Sequence, residues 1–470
     1  MKLKIMKNSP SRIFSLVVVI ALLVISPAVS VSALPNEQGG NPVYIVQSGD
    51  TLNVIAARFG VDPEDIQTAN GITDPNSLDI GQQLIIPGLE GISGVLTTEV
   101  VPFGATFDSI LREYQLDPAA LIKVNRLTSR SEAIAGVDLI VAVNDTEATY
   151  SPLGMVSSSE TLLEAAIQSG TSPWLLSEQN QLDGNWDLLP GDVLYGVTEE
   201  TVEGNDSFSL ASITVNPLPV LQGETLEIGI SGQPGMTFTG SFNDEPLTFF
   251  SDDGSQYYSL HGIHAQTDPG IYSLHISATL LDGTTQTFEQ PVLLDDVVYG
   301  QQYVTVSSGL DSDEIAYEED FLKTALSTPS SERYWDGVFR YPVDEPCLGS
   351  YYGADRDYNN GTLYYYHTGQ DFSVCAPNLN IYAPAAGVVI IAQELPIKGN
   401  AIYIDHGWGV YSGFAHLSSF NVEVGDVVQP RDIIGQIGDT GRSAGPHLHF
   451  EINIGDTPVN PLTWLEEVFP

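Results

Sequence analysis

The pattern of apolar and polar positions first predicts a small mixed unit near the start of the chain. Residues 44–87 begin with a strand-like run, continue through two short stretches with apolar residues at helical spacing, and close on a second apolar strand. Asp62 and Pro63 start the second helix as its N-cap and its first-turn proline. We therefore expect a strand-helix-helix-strand module over residues 42–88.

This module recurs twice at an ungapped offset of 55 residues. The matches to the second copy are Thr106, Asp117, Pro118, Leu121, Asn125, Gly136 and Leu139, and those to the third are Thr161, Leu162, Gly170, Pro173, Asn180, Gly191 and Leu194. One offset that recovers so many positions indicates an internal repeat. We predict two degenerate copies over residues 97–145 and 150–198, because the Gly49-Asp50 turn becomes Gly104-Ala105 and Ser159-Glu160.

After the repeats, the period of the pattern shortens to that of β-strands. Short alternating runs separated by Pro-Gly and Asp-Gly turns predict an all-β, immunoglobulin-like sandwich over residues 207–297. Three histidines of this segment, His261, His264 and His275, have no carboxylate pattern beside them, and we assign them structural roles. The sandwich would act as a spacer.

Residues 309–338 are acidic, and residues 313–326 are helix-prone. We predict a helical linker that packs on the following domain. An inhibitory segment over an active site is the alternative.

From residue 339 to residue 470, glycines punctuate short β-branched runs, which predicts a mostly antiparallel β domain. Residues i and i+2 of a strand lie on the same face. His447 and His449 can therefore point into one groove.

The first residues have the order of a secretory signal. Four basic residues precede an apolar run over residues 13–25, and small residues follow. We predict a signal peptide over residues 1–33, with a retained signal anchor as the alternative, and membrane contact only in that second case. The expected location is extracytoplasmic, either secreted or associated with the cell envelope. In an exported protein Cys347 and Cys375 are expected to form a disulfide, with two free thiols as the alternative.

The net charge of the chain disfavours one class of binding partner. The chain has 470 residues, 16 lysines and arginines, 60 aspartates and glutamates, and a formal net charge of −44. Its length predicts two to four structural units. Because nucleic-acid backbones are bound through basic residues, no nucleic-acid partner is expected.

The candidate chemistry lies in the last third of the chain. Five of the eight histidines follow residue 360, and they include His367 four residues before Asp371, then His416, and the pair His447 and His449. Zinc takes imidazole nitrogen and carboxylate oxygen, and a catalytic zinc site keeps one position open. The cluster predicts a catalytic Zn²⁺ site, although each histidine alone would more often be structural.

Several strings in this region resemble the M23 family of zinc metallopeptidases, the lysostaphin and LytM type. They are residues 367–371, 382–389, 405–407, 414–418, 424–426 and 438–451. The resemblance implies that His367, Asp371 and His449 bind zinc and that His416 and His447 are second-sphere catalytic histidines. Gln370 departs from the aliphatic residue usual at its position, which is not a ligand position.

Three other polar residues near these strings have less specific roles. We interpret His406, which precedes a glycine turn, as structural. Asn400 and Arg442 could contact substrate or stabilise turns, and the sequence does not separate the two roles.

The first repeat resembles a LysM domain, a module that binds glycans containing N-acetylglucosamine. The resemblance rests on the turn at residues 48–51, on Asn70 and on residues 81–84. It implies glycan contacts at Gly49, Asp50, Thr51 and Asn70. These residues could equally build the framework, and for Asn70 both interpretations have the same weight.

Together these features predict a secreted zinc-dependent endopeptidase that hydrolyses peptide stems or cross-bridges of bacterial peptidoglycan. The LysM module would anchor it to the wall glycan and so raise the local substrate concentration. One alternative is an inactive M23 and LysM protein that binds and regulates another wall hydrolase. Another is a glycan-binding structural protein whose metal serves only folding.

Overall fold

The computed structural model describes residues 42–76, 78–143, 150–156, 161–182, 188, 192–197, 213–281 and 283–470. The predicted signal segment, residues 1–33, lies outside these ranges. Among the described residues, no helix has both the length and the apolar character needed to cross a membrane.

Each repeat contains a strand, two helices and a closing strand, in the predicted order. The first has β1 (Val43–Ile45), α1 (Leu52–Phe59), α2 (Pro63–Asn70) and β2 (Gln83–Ile85). The second has β3 (Val95–Val100), α3 (Phe107–Tyr114), α4 (Pro118–Asn125), a 3₁₀ turn (Arg130–Glu132) and β4 (Asp138–Val143). The third has β5 (Tyr150–Met155), α5 (Leu162–Gln168), α6 (Pro173–Gln179) and β6 (Val193–Val197).

Repeated polar side chains start the first helix of every repeat. Thr51, Thr106 and Thr161 are the N-caps, and each hydroxyl accepts a hydrogen bond from a backbone N–H of the first turn. Such caps satisfy donors that the helix itself leaves unpaired. The recurrence of threonine at the 55-residue offset therefore has a structural cause.

The recurring asparagine fastens the second helix to the closing strand in all three repeats. In the first repeat, Asn70 donates through Nδ2 to the carbonyls of Ile66 and Ile85, both at 2.8 Å, and its Oδ1 accepts from the Ile85 amide at 2.7 Å. Asn125 and Asn180 make the same three bonds in their own repeats. This pattern favours the structural interpretation of Asn70 over a sugar contact.

Asn180→Ala should therefore loosen the third repeat. The change removes the side-chain partner of the buried Tyr195 amide and carbonyl, which costs about 2–3 kcal/mol of local stability, while the Leu176 carbonyl keeps its bond from the amide of residue 180. Hydrogen exchange measured by mass spectrometry should show faster exchange in this repeat only. Ser172→Ala is the control, because the Ser172 side chain makes no capping bond. Equal protection in the two variants would contradict the assignment.

The first two repeats share one sheet, which the repeat pattern did not predict. Strands β1 and β3 pair in parallel, so the four strands lie in the order β2-β1-β3-β4. The third repeat pairs β5 with β6 and contacts the second through Arg112. The guanidinium of this buried arginine bonds the carbonyls of Asn180 and Val193 and forms a 3.2 Å ion pair with Asp192.

The middle of the chain forms two sheets around one apolar core. Its strands are β7 (Ile213–Asn216), β8 (Val220–Leu221), β9 (Thr225–Ser231), β10 (Thr237–Phe242), β11 (Glu245–Leu247), β12 (Gln256–Gly262), β13 (Gly270–Thr279) and β14 (Thr285–Asp295). They pair in the orders β11-β10-β13-β14-β8 and β12-β9-β7. The immunoglobulin-like assignment of these sheets stays a prediction.

Two histidines of this segment do have carboxylate partners, contrary to the sequence interpretation. His261 lies 3.5 Å from Glu245, and His275 lies 3.2 Å from Glu289. In both pairs the histidine and the carboxylate lie on different strands, so their spacing in the sequence does not indicate that they are in contact. Each has a single carboxylate, so neither is a metal cluster.

A short strand β15 (Gln301–Val304) and helix α7 (Ser312–Ala325) lead into the C-terminal domain. Asp311 caps α7, and Glu318 of this helix accepts hydrogen bonds from the amides of Ile397 and Lys398 at 2.6 and 3.2 Å. The acidic helix thus packs on the C-terminal domain.

The C-terminal domain is built mainly from one large antiparallel sheet. Its elements are β16 (Cys347–Leu348), β17 (Asp355–Tyr358), β18 (Leu363–Tyr366), β19 (Gln370–Ser373), β20 (Asn380–Tyr382), β21 (Gly387–Leu395), β22 (Gly399–Gly407), β23 (Val410–Phe420), β24 (Val427–Val428), β25 (Ile433–Ile437), β26 (His447–Ile454), β27 (Thr457–Val459) and α8 (Pro461–Glu466). The central order is β16-β19-β26-β23-β22-β21-β24, while β15, β17 and β18 form a separate sheet. The predicted mostly β domain is confirmed.

The sandwich contacts both of its neighbours. The Trp464 indole donates to the Thr225 hydroxyl at 2.9 Å, and Glu224 accepts from the Thr463 hydroxyl at 2.6 Å. On the other side, Gln290 bonds the backbone of the Gly104-Ala105 turn in the second repeat. The degenerate turn of that repeat is therefore occupied by a contact within the chain.

Candidate metal centre

The site forms where β26 lies between β19 and β23. The register sets Asp371 of β19 opposite His449, and Ala415 of β23 opposite the same histidine on the other side. His416 follows Ala415 directly, and His447 lies two residues before His449 on the same face of β26. Three strands that are distant in sequence thus bring Asp371, His416, His447 and His449 together, and His367 directly follows β18.

Gly369 permits the close approach of β19 to β26. A Cβ atom at this position would lie 2.3 Å from the Phe450 carbonyl oxygen and 3.0 Å from Cε1 of His449. Because the first contact is with backbone, any larger residue would push the strands apart. The glycine between His367 and Asp371 therefore has a packing role.

Three side-chain atoms form a triangle at the centre of the site. His367 Nε2, Asp371 Oδ1 and His449 Nδ1 are separated from one another by 3.0 Å on every side. All three residues are buried. Among the described residues, this is the one group of three or more histidine, cysteine or acidic side chains arranged to hold a metal ion.

The hydrogen bonds around the triangle leave three lone pairs directed inward. His367 directs its Nδ1 to the Tyr351 carbonyl at 2.8 Å, and His449 directs its Nε2 to Glu451 at 2.9 Å. Since those nitrogens donate, the inward nitrogens carry no proton in the neutral rings. The second carboxylate oxygen of Asp371 accepts from Arg356 at 2.9 Å.

This arrangement fits a zinc ion. Three acceptor atoms that face one another without a proton repel, and a cation between them removes the repulsion. A tetrahedral ion with bonds of about 2.0–2.1 Å separates its ligand atoms by about 3.3 Å, close to the observed 3.0 Å. The outer hydrogen bonds are of the kind that orient histidine ligands.

Glu451 is a site residue that the sequence interpretation missed. Its buried carboxylate contacts His449, the Lys398 ammonium at 2.6 Å and the Tyr403 hydroxyl at 2.7 Å. Burial is the largest effect on its pKa and raises it, but Lys398 and His449 outweigh burial and hold the pKa well below its usual range. The carboxylate is therefore charged. Alternation along β26 could have revealed it, because positions 447, 449 and 451 share a face.

Glu451→Gln should weaken zinc binding about 10- to 100-fold, the usual effect of removing an outer partner of a metal-bound histidine. Competition with a chromophoric chelator would measure the affinity. Tyr403→Phe is the matched control, because its hydroxyl bonds the carboxylate oxygen that does not contact His449. A glutamine variant with the affinity of the unchanged protein would refute this role.

His416 and His447 lie beside the triangle with a common hydrogen-bond arrangement. Nδ1 of His416 is 2.8 Å from the Thr440 carbonyl, and Nδ1 of His447 is 2.8 Å from the Gly445 carbonyl. Their ring centroids are 4.9 Å apart. In both rings Nδ1–H donates to backbone, so Nε2 is free to exchange a proton.

The backbone of His416 is unusual for a residue with a side chain. Its φ is +65°, in the left-handed region, and strained residues of this kind cluster at functional sites. Burial, followed by the nearby rings of His449 and His447, holds the pKa of His416 well below its ordinary value. The neutral ring keeps a lone pair on Nε2.

Other candidates from the sequence occupy supporting positions. Cys347 and Cys375 form a disulfide with a Cα–Cα distance of 6.1 Å. His406 is buried between the Ala386 carbonyl and the Ser412 hydroxyl, each 2.7 Å away. Asn400 donates to the Leu417 carbonyl at 3.0 Å, which favours turn stabilisation.

The predicted glycan-binding turn has its side chains directed to the framework. Asp50 accepts hydrogen bonds from the Tyr44 hydroxyl and the Gln47 amide, both at 2.7 Å, and Thr51 caps α1. Gly49 adopts a φ of +91° with open space beside it. A sugar contact here would therefore rest mainly on exposed backbone.

Comparisons with known proteins agree with both resemblances. Residues 365–461 match the model of peptidase family M23, and residues 44–87 match that of the LysM domain. The DD-carboxypeptidase/endopeptidase Mpg of Neisseria meningitidis is 43% identical over 98 residues, which are 21% of this chain and 22% of that protein. The peptidoglycan DD-endopeptidase ShyA of Vibrio cholerae is 34% identical over 124 residues, 26% of this chain and 29% of that protein.

A solved structure of an M23-type peptidase from Pseudomonas aeruginosa covers 54% of this chain and 96% of its own, with 25% identity and a TM-score of 0.40. The chain spans less than a third of the length of the Mpg and ShyA proteins. The two family matches confirm the resemblances predicted from the sequence. The first repeat is thus a LysM domain, and the C-terminal part of the chain belongs to peptidase family M23.

Proposed function

We propose that this chain is a zinc-dependent endopeptidase that acts outside the cytoplasm on the peptide stems or cross-bridges of bacterial peptidoglycan. The observation that carries the proposal is the triangle of His367, Asp371 and His449 with two further histidines beside it. The choice of substrate is supported by the relative ShyA, which is named a peptidoglycan DD-endopeptidase, and the peptidase activity also by Mpg, which is named a DD-carboxypeptidase/endopeptidase.

A zinc ion held by the triangle would supply Lewis-acid polarisation of the scissile carbonyl and of an attacking water. The residues around it supply the proton transfers. Nε2 of His416 or His447 accepts the proton of the attacking water, because each ring already donates Nδ1–H to a carbonyl. The ring that has taken up this proton can then stabilise the developing oxyanion and pass the same proton to the leaving amine, while the other histidine orients the attacking water.

The first repeat would hold the enzyme on its substrate. Its turn at residues 48–51 is exposed or partly exposed, which leaves backbone groups accessible to a glycan. In the second repeat, Gln290 hydrogen-bonds the backbone of the equivalent turn, so these backbone groups are not accessible to a glycan. We therefore assign glycan anchoring to the first repeat rather than to the second; the equivalent turn of the third repeat, Ser159-Glu160, lies outside the described residues.

Mass spectrometry of fragments released from purified peptidoglycan tests the proposal. New peptide amine termini should form with the zinc-loaded protein, disappear after treatment with a chelator, and return when zinc is restored. A digest of the same wall without protein is the control. No new amine in the zinc-loaded digest would refute the peptidase assignment.

A further inference from the structure

Basic side chains are rare in this chain, yet three of them surround the metal centre. Arg356, Lys398 and Arg442 line the cavity that also contains His367, His416 and His449. The whole chain has 16 lysines and arginines against 60 acidic residues. A cation of this group that has no carboxylate partner within the protein would favour an anionic group in the bound substrate.

Two of the three cations are neutralised within the protein. Arg356 pairs with Asp371 at 2.9 Å, and Lys398 pairs with Glu451 at 2.6 Å. Both carboxylates belong to the metal centre or its outer contacts. These two cations therefore have defined internal roles.

Arg442 forms no ion pair with any described residue. Its one side-chain hydrogen bond reaches the Gly309 carbonyl at 3.4 Å, which is long for this type of bond. The guanidinium lies over the rings of Tyr358 and Tyr365, at 4.8 and 5.5 Å from their centroids. Such contacts hold an arginine in position without neutralising its charge.

The backbone connects Arg442 with the catalytic histidines. Its amide donates to the Ile397 carbonyl at 2.7 Å. It lies two residues after Thr440, whose carbonyl orients His416, and three before Gly445, whose carbonyl orients His447. Arg442 therefore belongs to the same short segment as the two carbonyls that orient the histidines.

The size of the cavity agrees with a small anion. Its volume is about 40 Å³, and roughly 10–15 Å³ suffices for one water molecule. A carboxylate fits this space, and a planar guanidinium binds a carboxylate through two parallel hydrogen bonds.

We propose that Arg442 is a specificity residue that binds a free carboxylate of the peptide substrate close to the scissile bond. This inference rests on the proposed peptidase function. It predicts that substrates with this carboxyl group free are preferred over the same substrates with the group converted to an amide.

A pair of cross-linked peptides from peptidoglycan, one with its carboxyl groups free and one with them amidated, tests the inference. The unchanged protein should cleave the free form with a kcat/KM about 10- to 100-fold higher, the usual range for a charged hydrogen bond. Arg442→Gln should reduce this ratio to below about 3, and Arg442→Lys should give an intermediate ratio. A glutamine variant that keeps the original ratio, or that slows both peptides equally, would overturn the inference.

Arg431→Gln is the matched control, because Arg431 also lies over a tyrosine ring, 3.7 Å from the Tyr382 centroid, but pairs with Asp344 away from the site. It should keep the original ratio of kcat/KM values for the two peptides.

Binding of the two peptides to the His447→Ala protein, measured by calorimetry, should show the same preference. Binding preference without any cleavage by the unchanged protein would refute only the peptidase function. Cleavage without preference would refute only the role of Arg442, and absence of both would refute the two together.

Discussion

Replacing His449 with alanine is expected to abolish peptidoglycan hydrolysis and to remove the bound zinc. In the proposed zinc site this side chain would supply one of three ligand atoms, and its other ring nitrogen contacts Glu451. A catalytic zinc contributes several kcal/mol to the transition state. Its loss corresponds to a decrease in kcat/KM of about 10³-fold or more.

Release of peptide fragments from purified wall would measure activity, and elemental analysis would measure the zinc content. His275→Ala is the control, because His275 is a partly exposed histidine of the sandwich with one carboxylate partner. Circular dichroism would establish that the His449 variant is folded. Unchanged wall lysis by a folded, zinc-free variant would instead support the inactive regulator as the function of the chain.

Removal of the His416 imidazole is expected to lower kcat by about 10²- to 10⁴-fold, the usual contribution of a general acid or base. Zinc should remain bound, because His416 is not part of the triangle. This separation of activity from metal content distinguishes the role of His416 from that of His449.

The left-handed backbone conformation at position 416 determines which substitutions can test the role of His416. A φ of +65° strains alanine, whereas asparagine and glycine tolerate this region. His416→Asn and His416→Gly should therefore lose activity to a similar extent while remaining as stable as the unchanged protein. Measurable activity near the original level in either variant would exclude a proton-transfer role. The same measurements on His447→Ala would assign the two steps to the two histidines.

Local features of the repeats could be predicted because they depend on neighbouring residues. Helix caps, first-turn prolines and strand alternation act over a few positions, and the 55-residue offset exposed three copies of one framework. The pairing of β1 with β3 and the contact of Gln290 with the second repeat join surfaces that are distant in sequence. Sequence periodicity carries no information about such contacts.

Within the candidate site, motif spacing identified the histidines and Asp371, whereas their supporting residues came only from the fold. Strand alternation could have revealed Glu451, but Arg356 lies on β17 and Lys398 in the turn between β21 and β22, and neither belongs to a motif. His416 also lies where the pairing of β22 with β23 is irregular, between the pairs Asn400–Leu417 and Ile402–Phe414, and motif spacing does not reveal such an irregularity.

The amino-acid order alone was sufficient for the LysM and M23 assignments and for selecting the candidate metal-site residues, because spacing along one strand or one motif sets these. The tertiary structure decided which nitrogens of His367 and His449 face the centre of the candidate site, which carboxylate contacts His449 from outside, and that Arg442 has no ion-pair partner among the described residues. These properties depend on hydrogen bonds and charges from distant segments. Only the folded chain brings such groups within 3 Å of one another.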